Sequence, residues 1–142
     1  MKHMVFMMGL ILMVAAPAIA ETPQHWRLED LVAKSDPHAA VEVQSLGKTE
    51  TISLQCVVLR GAVGLHYHEK HTETVMIASG AGIMTLGDQT VEAKAGDVFL
   101  VPPGTLHAFE PVGEGPVSAI TTFSPPFDGK DRVFVDPPEG KN

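Results

Sequence analysis

Apolar and polar positions alternate in short runs from Val41 to Phe123, and turn residues break the runs at close intervals. VEVQSL ends at Gly47-Lys48, and ETISLQCVVLR follows with apolar residues on both faces, the mark of a strand covered on both sides. Gly61 to Gly64 turns the chain into HYHEK. ETVMIAS then runs to Gly80, and GIMTL and QTVEA flank Gly87-Asp88, which predicts a tight hairpin over Leu86 to Gln89. DVFLV leads to the bend Pro102-Pro103-Gly104, and LHAFE and PVSAITTF complete the series. No segment of this region keeps a helical period over three turns. The pattern predicts about nine strands, and so many short strands at such spacing make a sandwich or a small barrel.

Candidate chemistry gathers in two stretches of that series, Gly61 to Gly80 and Gly96 to His107. His66 and His68 are two apart, so on an extended strand both imidazoles leave one face while Tyr67 leaves the other. Glu73 lies just past the turn that follows, sharing a face with Val75 and Ile77. His107 can join them only in a fold that brings the chain back to the same place. Three imidazoles and a carboxylate suit a divalent transition ion; imidazole favours Zn, Cu, Fe and Ni, and the carboxylate keeps Mn and Fe in play. The expected metal set is His66, His68, Glu73 and His107. Candidates for a catalytic role are Glu73 acting as a base, His71 as a proton carrier at the mouth, and Arg60 as an anchor for an anionic substrate. The plainer readings are a solvated turn residue for His71 and a core or interface position for Tyr67.

The first stretch reads G-x4-H-x-H-x4-E-x6-G through Gly61, His66, His68, Glu73 and Gly80. The second reads G-x5-P-x-G-x2-H through Gly96, Pro102, Gly104 and His107. Together they resemble the two signature motifs of the cupin superfamily, over roughly Val41 to Phe123. Two departures stand out: four residues rather than the usual five separate Gly61 from His66, and Pro111 occupies a position where the second motif usually has Asn. The resemblance implies an all-β double-stranded β-helix, the jelly-roll barrel, with the ligands projecting into its interior. It also implies a range of chemistries, from dioxygenation, decarboxylation, isomerisation and lyase reactions to binding without catalysis.

The flanks change the picture less. MKHMVFMMGLILMVAAPAIA has the polar start, apolar run and small-residue end of a secretory signal, so residues 1–20 are expected to be cleaved. That places the folded protein in a periplasm or outside the cell. Without those residues the chain has 122 residues with 17 acidic and 9 basic side chains, and five of its seven Met are gone. An acidic balance without a Lys/Arg cluster argues against nucleic acid or an anionic membrane as partner. Cys56 is the single cysteine, which excludes an internal disulfide, and its alternation with Leu54 and Val58 marks it as a small core residue. Residues 21–40 read as an N-terminal arm in which Trp26, Leu28, Leu31 and Val32 pack onto a barrel spanning 41–123. His25 and His38 are expected on the surface. The tail, 124–142, is irregular by composition, yet Phe127 and Phe134 predict an arm laid over this subunit or over a neighbour in a homodimer.

Three functions remain in play at this level: a periplasmic metal-dependent enzyme on a small oxygenated substrate, a module that binds or senses a metal or small ligand, and a barrel without an ion. An ion acquired after export is expected to be Zn or Cu, which bind more tightly than Mn or Fe to the same donors.

Overall fold

A computed structural model of the protein describes residues 22–136. The expected signal sequence and the last six residues of the tail lie outside the described residues. Ten strands follow one short helix: β1 Val41–Lys48, β2 Ser53–Leu59, β3 Val63–Tyr67, β4 Thr72–Ser79, β5 Ala81–Leu86, β6 Gln89–Lys94, β7 Val98–Val101, β8 His107–Val112, β9 Val117–Ser124 and β10 Val133–Phe134. They form two five-stranded antiparallel sheets, ordered β1-β2-β9-β4-β7 and β10-β3-β8-β5-β6. The architecture is the all-β double-stranded β-helix that the strand pattern and the motifs lead one to expect. The tenth strand comes from the tail.

The core lies between the sheets. Leu59, Ile77, Phe99, Val101, Val117 and Ala119 from the first sheet meet Met84, Ala93 and Phe109 from the second. Alternation along β4 shows how the sequence sets the inner face: Glu73, Val75 and Ile77 point inward, while Met76 is left exposed. Gly82 permits the closest approach in this core. A Cβ there would stand 2.4 Å from Phe109 Cζ and 2.5 Å from the Glu110 carbonyl oxygen, so the ring of Phe109 can lie across β5 only because position 82 has no side chain. The hairpin over Leu86 to Gln89 forms as expected, with Gly87 at φ 59° taking the left-handed conformation that the first residue of such a loop requires.

The outer face of the first sheet carries a second cluster, and here the N-terminal arm docks. Helix α1, Leu28–Ala33, has only six residues and no side-chain cap, so it cannot persist alone. Leu28, Leu31 and Val32, spaced i, i+3, i+4, lie against Leu46, Cys56 and Val58. Packing therefore holds the helix, aided by Glu29 and Asp30 in its first turn, where acidic side chains offset the positive end of the helix dipole. Cys56 is fully buried beneath it. Because α1 covers the face shared by Cys56 and Val58, β2 is apolar on both sides.

Candidate metal centre

The two sheets contribute unequally to one end of the barrel interior. His66 lies in β3 directly across from His107 in β8, and His68 follows two residues on, just past the end of β3. Glu73 stands near the start of β4 in the opposite sheet, between Phe123 of β9 and Val101 of β7. Strand alternation carries His66 and His68 to the same side, and sheet closure brings Glu73 to face them. All four are buried. Each offers one donor atom, and these four atoms lie within 4.8 Å of one another. An ion held at about 2.1 Å from its ligands accommodates donor pairs up to about 4.2 Å apart, so small side-chain adjustments suffice.

The orientation of the rings is fixed from behind. His66 Nδ1 donates to the Gly64 carbonyl at 2.8 Å, His107 Nδ1 donates to the Thr105 carbonyl at 2.9 Å, and His68 Nδ1 donates to the Asp131 carbonyl. A carbonyl can only accept, so each Nδ1 is committed to its carbonyl and each Nε2 is the nitrogen turned inward. His107 Nε2 lies 3.1 Å and His68 Nε2 3.4 Å from the same oxygen of Glu73, and His68 Nε2 has no hydrogen-bond partner. Three Nε2 atoms and a carboxylate thus meet in one buried space, a group of donors that could hold a cation. Burial first, then the neighbouring His107, lowers the His66 pKa to about 4, which leaves that ring neutral at physiological pH. Burial alone would raise the Glu73 carboxyl, but the rings of His107 and His68 overcome it and hold the group at about 2, ionised. Imidazoles backed by carbonyls and one carboxylate make a donor set that fits a divalent transition ion.

The motif turn explains why His107 arrives where it does. Thr105 N–H donates to the Pro102 carbonyl at 3.2 Å, with Pro103 and Gly104 between them and Gly104 at φ 78°, as a type II turn requires. Gly104 N–H in turn donates to the His68 carbonyl at 2.7 Å. One turn therefore holds the backbone of one histidine and presents the next.

Two expected catalytic candidates lie elsewhere. Arg60 does share the parity of Cys56 and Val58, but that face is the outer one. Its Nη2 donates to Ser35 Oγ at 2.7 Å below α1, away from the cavity. His71 is buried rather than solvated, because the tail folds back over its turn. The Asp131 carboxylate accepts from the backbone N–H groups of Glu69 at 2.8 Å, Lys70 at 2.9 Å and His71 at 3.2 Å, and from His71 Nδ1. Burial works against that charge, yet the His71 ring and the Lys70 and Glu69 N–H groups hold the Asp131 carboxyl well below its ordinary range. His25 and His38 are exposed, as expected.

Three residues with a part at this site had no signal in the sequence pattern. Asp131 orients His68 through its carbonyl and clasps the 69–71 turn through its side chain. Its neighbour Arg132 and the β9 residue Thr121 line the cavity above the cluster, beside His66, Glu73 and His107. The remaining wall is apolar, with Val57, Val75, Ile77 and Phe109 prominent. The Asp-Gly-Lys-Asp run in the tail reads as flexible surface, and nothing local to it shows that it caps a turn some sixty residues earlier.

Comparison with known proteins follows the same lines. A family model described as "Cupin domain" matches residues 54–123. An uncharacterized protein of Aquifex aeolicus is 32% identical over 110 residues, which is 77% of this chain and 90% of that one. Among solved structures, KdgF from a Halomonas species superposes with a TM-score of 0.61 at 26% identity, over 66% of this chain and 88% of that one. A double-stranded β-helix protein of Klebsiella pneumoniae reaches 0.68 over 82% of this chain and all of its own, at 17% identity, a likeness of fold alone.

Proposed function

The chain belongs to the cupin superfamily, and we propose that it is an exported protein holding one divalent transition ion through His66, His68, Glu73 and His107, and acting as a metal-dependent enzyme on a small oxygenated molecule. The observation that carries the metal is the fixed direction of the three rings. Each Nδ1 is committed to a carbonyl, so the three Nε2 atoms are the ones that converge with a carboxylate. Bound there, such an ion supplies Lewis-acid polarisation of a ligand oxygen. The residues do the rest: carbonyls hold the imidazoles in register, Glu73 contributes the single negative charge, and the apolar wall limits water around whatever enters.

The cavity favours an enzyme or small-ligand binder over a barrel without an ion. A volume of about 70 Å³ is open to the centres of water molecules. One water needs about 10–15 Å³ of such space, so a small molecule fits in the cavity that His66, Glu73 and His107 line. Export is supported by the apolar leader at residues 1–20. Among the described residues no helix is long and apolar enough to cross a membrane.

Metal analysis of protein purified without chelators tests the reading. We expect close to one equivalent, falling to below a tenth in His66→Ala and His107→Ala. Full-length protein with less than a tenth of an equivalent, not restored by dialysis against Zn, Mn, Fe, Ni or Cu, would overturn it. Material from a native periplasm should carry Zn or Cu; Mn in its place would reject the idea that the ion is acquired after export.

A further inference from the structure

Apart from the metal cluster, the cavity holds two polar groups whose hydrogen bonds are unmet. Thr121 sits in the middle of β9, opposite Gln55 of β2 and Val75 of β4, and points inward. It is 3% exposed, and its hydroxyl has no hydrogen-bond partner among the described residues. Arg132 enters from the tail, its guanidinium 5.7 Å from the centre of the Phe127 ring, while its Nε is buried and equally unpartnered. Phe127 is stacked on Phe123 at 4.7 Å, so the aromatic support beneath Arg132 is itself anchored to β9. Leaving such groups unpaired away from water costs free energy, and both line the one cavity that also contains His66, Glu73 and His107.

Charge narrows what would pair with them. Glu73 is the one acid among the described residues lining the cavity, and the metal cluster already claims it. A divalent ion with a single carboxylate ligand is left net positive, and Arg132 adds a second positive charge nearby with no acidic partner among the described residues. Around these groups the wall is built from Val41, Val43, Val57, Leu59, Val63 and further apolar side chains. Resting on the metal reading above, we propose that the cavity takes a small carboxylic acid with a short branched or cyclic apolar body, its anionic group held by Arg132 and a second oxygen by Thr121. Arg132 is then a specificity-determining residue supplied by the C-terminal arm, and a guanidinium suits that task because its planar fork matches a carboxylate.

Full-length, metal-loaded protein titrated calorimetrically with 3-methyl-2-oxobutanoate and with its methyl ester tests this. The acid should bind at least tenfold more tightly than the ester. Arg132→Gln should reduce acid affinity at least tenfold with metal content and ester affinity unchanged, Arg132→Lys should recover part of it, and Thr121→Val should weaken acid and ester together. Because an ion alone also prefers an acid, the same titration on metal-free protein separates the two readings: dependence on Arg132 should persist there. No binding of the acid, or acid affinity unaltered in Arg132→Gln that retains its metal, would overturn the proposal and leave the metal reading standing. Failure of the wild-type protein to take up metal would overturn the metal reading, while the metal-free titration still decides the role of Arg132.

Discussion

His66 is the residue in which burial and charge act most plainly together. Folding moves it into a site where burial and a facing His107 disfavour the imidazolium, lowering its pKa from an ordinary value near 6.5 to about 4. The folded state therefore binds fewer protons than the unfolded state between those values, and stability must fall as pH drops through that window. We expect the denaturation midpoint of metal-free protein to be flat above about pH 7 and to decline from there toward pH 4; His66→Gln should flatten part of that decline. A midpoint that rises on acidification would contradict the burial argument. At this scale the sequence is most legible for the clustered residues, because strand alternation and the motif spacing act locally. His66, His68, Glu73 and His107 come together as their spacing implies. For Arg60 alternation gives the correct parity but not which face is inside, since both faces of β2 are apolar and only the docked helix distinguishes them. For His71 the missing information is long-range: its burial depends on Asp131, sixty residues away.

Among the elements, β5 shows how tightly the barrel is drawn. The Phe109 ring and the Glu110 carbonyl occupy the space where any side chain at position 82 would go, and a carbonyl in a paired strand cannot step aside. Gly82→Ala should destabilise by about 1–3 kcal/mol through overpacking, read as a fall in melting temperature, and should perturb the cavity wall that Phe109 forms. A variant as stable as the parent would show that β5 and β8 separate more easily than their packing suggests. The strands themselves are well announced by the sequence, with turns at Gly87 and at Pro102 to Gly104 where the backbone requires them. By contrast, β10 carries only two residues and gives no periodic signal, and its existence follows from pairing with Tyr67 and His66. Helix α1 is legible as an amphipathic patch, although its length would not sustain it without the sheet beneath.

For the whole molecule, the tail is where stability and site meet. Phe127 stacks on Phe123, β10 extends the second sheet, and Asp131 ties the 69–71 turn while its carbonyl holds His68. Deleting residues 125–142 should lower the melting temperature and weaken metal retention together. Asp131→Asn should do so to a smaller degree, because it keeps the backbone carbonyl but loses the carboxylate that accepts from three N–H groups. Unchanged melting and metal content in the deletion would show that the barrel completes its site without the arm. The exposed Phe134, 5.5 Å from the His66 ring, marks the outer edge of this arrangement.

That His68 is steadied by Asp131 sets an order of events. During synthesis, nine strands can assemble while this segment has yet to emerge, and at that stage one of the four clustered side chains swings without its brace. Firm capture of the proposed cation would thus be deferred until nearly all of the polypeptide has been delivered, so a protein folding from its N-terminal side would finish its barrel before it could lock anything inside.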